Sequence, residues 1–132
     1  MSAKTILCVD DEQSVLELLE QQLRHHYGNG IAYSTAQDGE RALELIAALE
    51  AEGRELALVV TDWMMPGMRG DEFLVRLHET HPDVVKVMLT GRADDEAIAR
   101  AESGANLFRC LRKPWAAEEL YAVVDAALAY GR

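Results

Sequence analysis

Positive charge is scarce in this sequence. Thirteen lysines and arginines stand against 23 aspartates and glutamates, a formal net charge of −10 at pH 7. Such a chain repels phosphate backbones, which argues against direct binding to nucleic acid and suits a domain that holds a cation. Long hydrophobic runs are missing too. No segment has the length to span a bilayer, and the apolar run in the opening MSAKTILCVDDE is far too short for a signal peptide. Cysteine is limited to Cys8 and Cys110, which lie in separate strand-like runs without C-x-x-C spacing. They are expected to be reduced core residues of a cytoplasmic protein with no membrane contact. There is no low-complexity tract, repeat or long Pro/Gly/Ser linker, so the 132 residues are read as one domain, 1–132.

What is present is organised around Leu56 to Gly70. An unbroken apolar run, Leu56-Ala57-Leu58-Val59-Val60, is too short for a helix and rich in β-formers. It reads as a strand buried on both faces, at the centre of a parallel sheet. The run ends abruptly at Asp62, and a loop with Pro66, Gly67 and Gly70 follows. Open α/β sheets bind their ligands at that end of a central strand. A lone Asp there is more often a solvated strand end, so the rest of the chain has to decide.

Taken in order, Thr5 to Val9 is a buried strand that stops at Asp10-Asp11-Glu12. Val15, Leu16, Leu19 and Leu23 then recur at helical spacing, with Ser14 near the start and Gly28 and Gly30 past the end. Ile31 to Ala36 is a more polar strand, expected near an edge. Asp38 caps a second helix with a buried face of Ala42, Leu45, Ile46 and Leu49. Phe73, Leu74 and Leu77 mark a third helix that must stop near Pro82. Val84 to Leu89 is a fourth strand ending on Thr90, and Asp94 to Ala101 a short helix with little apolar bulk. Leu107 to Arg112 is a fifth strand before Lys113-Pro114, and Leu120, Val123, Val124 and Ala127 make the last helix. Strands alternating with helices in this way predict parallel pairing through right-handed crossovers, an α/β doubly wound sheet. For five strands the order 2-1-3-4-5 is a common solution, with the ligand crevice between the first and third strands.

In such a sheet all carboxyl ends point the same way. Asp10, Asp11, Asp62, Thr90 and Lys113 therefore surround one crevice. Each alone has an ordinary reading as cap, strand former or surface charge; together they are hard to attribute to chance. Three close carboxylates repel one another and need a compensating cation. Lys113 supplies one charge, and an all-oxygen site suits Mg²⁺, with Mn²⁺ as the alternative. A carboxylate can attack phosphorus to give an aspartyl-phosphate, its charge neutralised by the metal, Lys113 and the Thr90 hydroxyl.

VDDE, DWMMPGMRG, a strand ending LTG, and KPW together resemble the receiver domain of bacterial two-component response regulators, over nearly the whole chain. The resemblance implies a flavodoxin-like, receiver-like fold and a phosphoacceptor signalling domain rather than an enzyme that turns over a separate substrate. On it, Asp62 is the phosphoacceptor, Asp11 a direct metal ligand, Asp10 its water-bridged neighbour, and Met64 the donor of a backbone carbonyl to the metal. Thr90 is the switch hydroxyl and Lys113 the phosphate-pairing lysine, with a cis Lys113-Pro114 bond. The implied partners are a histidine kinase or phosphotransfer protein, an output domain or downstream protein, and a second copy meeting through the face of fourth helix, fifth strand and fifth helix.

Two features depart from the family's pattern. Cys110 stands where an aromatic is usual three residues before the lysine, and Phe108, on the same face if the strand is regular, is the candidate substitute. The stretch from Gly104-Ala105 to Lys113 is also longer than usual, and FRCLRKPW resembles a subgroup joined to larger output modules, including cyclic-dinucleotide phosphodiesterases and transcriptional activators. No effector segment follows Arg132, so the chain is expected to be a stand-alone receiver or part of a longer protein. Rival readings are weaker. A small Mg²⁺ phosphatase should carry a second acid two residues after Asp62, where Met64 stands. A flavin mononucleotide carrier should offer hydroxyls in its first loop, not three acids. A receiver-like module that binds partners without phosphorylation is opposed by the intact site. His25, His26, His78 and His81 read as surface histidines near helix ends. Trp63 reads as a packed aromatic pointing away from the pocket.

Overall fold

The computed structural model describes residues 4–91 and 95–131. Its sheet is built from β1 (Lys4–Val9), β2 (Ile31–Ala36), β3 (Glu55–Asp62), β4 (Val85–Thr90) and β5 (Arg109–Arg112), all parallel, in the order β2-β1-β3-β4-β5. Helices α1 (Gln13–Tyr27), α2 (Gly39–Ala51), α3 (Gly70–Thr80), α4 (Asp95–Ala105) and α5 (Ala117–Tyr130) make the crossovers. The doubly wound class expected from the alternation is present, and the strand order is the common five-strand solution 2-1-3-4-5.

The period of two along each strand divides the core in two. Leu7, Val9, Val59 and Met88 meet α2, α3 and α4 through Ala42, Ile46, Phe73, Leu74, Leu77, Ala101 and Ala105. Ile6, Cys8, Leu58, Val60, Val87, Leu89 and Leu111 meet α1 and α5 through Leu16, Leu19, Leu23, Leu120, Val124 and Ala127. β4 is buried along its whole length, whereas β2, on the sheet edge, is mostly half-buried. That difference is why the central runs are purely apolar and β2 is mixed.

Local chemistry sets most element ends. The Asp38 carboxylate accepts from the Arg41 N–H at 2.8 Å and caps α2 as expected. Glu119 accepts from the Ala116 N–H at 3.0 Å and closes the first turn of α5. The Ser14 signal lies inside α1, whose cap residue is Glu12. α3 is joined to α4 by charge: buried Asp71 accepts from Arg100 Nε at 2.7 Å. An acid in the first turn of a helix reads as solvated from sequence, and its burial follows from a partner on another helix.

Several expectations need correction. α4 runs on to Ala105, past the expected stop at Ala101; the expected first residue, Asp94, lies outside the described residues. Leu45 and Val123 are only partly buried. β5 begins at Arg109, not Leu107, because Asn106 takes a left-handed φ of 53° and the chain enters the sheet only after it. The strand alternation therefore does not reach back to Phe108. Cys110 packs against the α2/α3/α4 cluster, whereas Phe108 packs against the α1/α5 cluster with its ring 5.0 Å from that of Tyr130. Phe108 is not on the face of Cys110. His78 is half-buried, with a buried Nδ1 lacking a hydrogen-bond partner, and His81 pairs with Glu50 at 2.5 Å.

β4 also holds a fully buried lysine. Lys86 Nζ donates to the Val84 carbonyl at 2.7 Å, and burial pushes its pKa down to about 8, against a smaller upward pull from Asp83. The unfolded chain binds more protons than the folded one between about 8 and the usual lysine value, so this group makes stability rise with pH across that window. Lys86→Met should raise the melting temperature at pH 7 and flatten its rise between pH 8 and 10. An unaltered pH profile in thermal unfolding would contradict this.

Candidate functional site

The carboxyl ends of β1, β3, β4 and β5 meet above the sheet. Past the end of β1, the Asp10 N–H donates to the Ala36 carbonyl at 3.1 Å, which fixes its backbone against β2. The Asp10 carboxylate has no solvent exposure. One oxygen accepts from the Glu12 N–H at 2.9 Å and the other from Lys113 Nζ at 2.9 Å. Asp62 ends β3, is 6% exposed, and has an oxygen 3.0 Å from the same Nζ. Lys113 is held in turn by its backbone, whose N–H donates to the Thr90 carbonyl at 2.8 Å; the Lys113-Pro114 bond is cis. Thr90 is buried at the end of β4, one residue past Leu89, the pairing partner of Asp62.

The loop after Asp62 is shaped by a close approach. A Cβ on Gly70 would lie 2.1 Å from the Asp62 carbonyl oxygen, so only glycine lets α3 start there. The Gly70 N–H donates to the Trp63 carbonyl at 2.8 Å and closes the loop. In the sequence Gly70 reads as a loop residue; its close approach to the Asp62 carbonyl carries no separate sequence signal. Within the loop, Met64 is exposed and Met65 and Met68 are buried.

Electrostatics set the character of the pocket. Burial raises the Asp62 pKa; the hydrogen bond and charge of Lys113 oppose the rise, and the charges of Asp10 and Asp11 add to it. Burial by itself would lower the pKa of Lys113, but the hydrogen bonds and charges of Asp10 and Asp62 outweigh it and raise the value. One ammonium does not balance three carboxylates. Asp10, Asp11 and Asp62 each offer an oxygen, all within 4.8 Å of one another, with Asp11 exposed at the mouth. A hard divalent cation fits this set: the donors are all oxygen, the charge is unbalanced, and one side is open for water.

Of the six residues expected at the site, five are brought together at the strand ends: Asp10, Asp11, Asp62, Thr90 and Lys113. The sixth, Met64, expected there through its backbone carbonyl, lies in the adjoining loop with its side chain exposed. The rival phosphatase and flavin readings gain nothing from this geometry, since residue 64 is an exposed methionine and the first loop faces the pocket with acids.

Comparison with known proteins shows the family. The family model of the response regulator receiver domain matches residues 6–125, and the chain belongs to that family. It is 39% identical over 124 residues to the response regulator MprA of Mycolicibacterium vanbaalenii, covering 93% of this chain and 49% of that protein. It is 31% identical over 124 residues to the hydrogenase transcriptional regulatory protein HoxA of Bradyrhizobium diazoefficiens, covering 94% of this chain and 24% of that protein. The chain thus spans about half, or about a quarter, of the length of these relatives. A crystal structure of the signal receiver domain of an HD domain-containing protein from Pseudomonas fluorescens Pf-5 superposes with a TM-score of 0.88 at 32% identity, over 98% of this chain and 97% of that one. The fold is the flavodoxin-like receiver fold. Among the described residues no helix is long and apolar enough to cross a membrane.

If the three carboxylates share one cation, removing the exposed one has opposite effects on binding and folding. Asp11→Ala should weaken Mg²⁺ binding in a titration followed by Trp63 fluorescence, yet raise the melting temperature of the metal-free protein. An unchanged Mg²⁺ affinity would mean that the cation does not sit among these oxygens.

Proposed function

We propose that this receiver domain is switched by transfer of a phosphoryl group to Asp62 from the phosphohistidine of a histidine kinase or phosphotransfer protein. The observation that carries the reading is the buried Asp62 carboxylate at the end of the central strand, 3.0 Å from Lys113 Nζ and beside two further acids. In the transfer, an Asp62 oxygen forms a bond to phosphorus as the bond to the donor imidazole nitrogen breaks, and the imidazole leaves with that electron pair. Asp10, Asp11, Asp62 and the Met64 carbonyl are the residues that would hold Mg²⁺, or Mn²⁺ in its place. Bound there, the ion supplies charge neutralisation for the phosphoryl oxygens.

The chain's own groups do the rest. Lys113 follows the charge: its ammonium, shared between Asp10 and Asp62 before phosphorylation, is positioned to pair with a phosphoryl oxygen once Asp62 carries the acyl phosphate. The Thr90 hydroxyl donates to another. Asp10, with one oxygen fixed by the Glu12 N–H, keeps the cluster negative enough to retain the cation. The result is a regulatory event and not turnover of a separate substrate. The domain would work in the cytoplasm and pass its state to an output domain or downstream protein, with the α4, β5 and α5 face available for a second copy.

With Mg²⁺ and acetyl phosphate, intact mass should rise by one phosphoryl group, and Asp62→Asn should abolish the rise because an amide is a poor nucleophile. Labelling that persists in Asp62→Asn would move the acceptor elsewhere.

A further inference from the structure

The residue next to the acceptor packs into the α2/α3/α4 side of the core. Trp63 packs against the α2/α3/α4 cluster, whose members include Met88 of β4, Phe73 and Leu77 of α3, and Ala101 and Ala105 of α4, and against which Ile98 also packs. Its backbone is fixed at both ends. The Trp63 N–H donates to the Leu89 carbonyl at 3.0 Å, and its carbonyl accepts from Gly70 at 2.8 Å. Asp62 pairs with Leu89, the residue before Thr90, so Asp62 and Trp63 are both held to that same residue of β4. One residue is therefore bonded to the phosphoacceptor, hydrogen-bonded to the residue before Thr90, and packed against the cluster that includes the buried alanines of α4. Phe108 has no such position, since it packs on the other face of the sheet.

Two details make this ring suited to movement. The fully buried residues of α4 are Ala97, Ala101 and Ala105, so the helix has little bulk of its own with which to grip the sheet. The Trp63 Nε1 is buried and has no acceptor among the described residues. The chain's other indole is satisfied: Trp115 Nε1 donates to Gln22 at 2.9 Å. A buried donor without an acceptor is costly where it stands, so a displacement that brings it to an acceptor is favoured.

We propose that Trp63 is the positioning residue that relays the state of Asp62 to α4, its ring shifting within the α3/α4 cluster when the acceptor is phosphorylated and moving the helix with it. The proposal rests on Asp62 being the acceptor, and the two can be tested apart. In a Trp115→Phe background Trp63 is the only tryptophan. Acetyl phosphate with Mg²⁺ should then raise the mass by one phosphoryl group, shift Trp63 emission, and change amide exchange in Asp95–Ala105. In the otherwise wild-type chain, Trp63→Leu should keep the mass increase and lose the exchange response, whereas Trp63→Phe, which keeps a ring, should retain most of it. Phosphoryl uptake with unchanged Trp63 emission overturns the relay alone. So does an undiminished α4 response in Trp63→Leu, equal loss in Trp63→Phe, or a Trp63→Leu variant that no longer takes up phosphate. Absence of uptake in the parent protein overturns the acceptor reading and the relay with it.

Discussion

One lysine bridging two buried carboxylates is the constraint on which this structure depends. Asp10 and Asp62 would repel each other across the crevice between β1 and β3. Lys113 Nζ, 2.9 Å from one and 3.0 Å from the other, makes their burial tolerable. The arrangement is stable but not relaxed. Asp62 has its pKa raised and Lys113 has its pKa raised, which means that the fold suppresses the charge of the first and reinforces that of the second. A pocket left net negative by such a pair attracts a cation and, through it, a phosphoryl group.

The fold can be understood as the means of delivering these groups to one place. Parallel strands put every carboxyl end on one edge, so residues as far apart in sequence as Asp10 and Lys113 meet without any long loop. Neighbouring strands also brace one another at that edge. The Lys113 N–H is tied to Thr90, the Trp63 N–H to Leu89, and the Asp10 N–H to Ala36. Asp10, Trp63, Thr90 and Lys113 therefore sit on backbone that is hydrogen-bonded to the adjacent strand, which limits how far their side chains can drift.

Much of this was legible in the residues. The apolar runs of β1, β3 and β4 are buried on both faces, so their composition alone marked them as strands, and the alternation with helices dictated parallel pairing. The acids, threonine and lysine at the strand ends then had nowhere else to go. What was not legible depends on local geometry or distant contact. Phe108 changes sheet face because Asn106 bends the chain before β5 begins, and a two-residue spacing cannot reveal that. Asp71 is buried because Arg100, 29 residues later, pairs with it. Gly70 is required because α3 starts against the Asp62 carbonyl, a contact that a glycine in a loop does not announce.

The claim that Lys113 is what makes the acidic pocket tolerable is tested most directly by thermal unfolding of Lys113→Ala with and without Mg²⁺. Breaking a buried ion pair by removing one partner commonly costs about 3–5 kcal/mol. In a domain of this size that corresponds to a fall in melting temperature on the order of 10 °C. The account predicts such a fall in metal-free buffer and recovery of most of it when Mg²⁺ is added, because a divalent cation among the same oxygens replaces the lost charge. A metal-free Lys113→Ala protein that melts with the wild type, or one that Mg²⁺ does not stabilise, would contradict it.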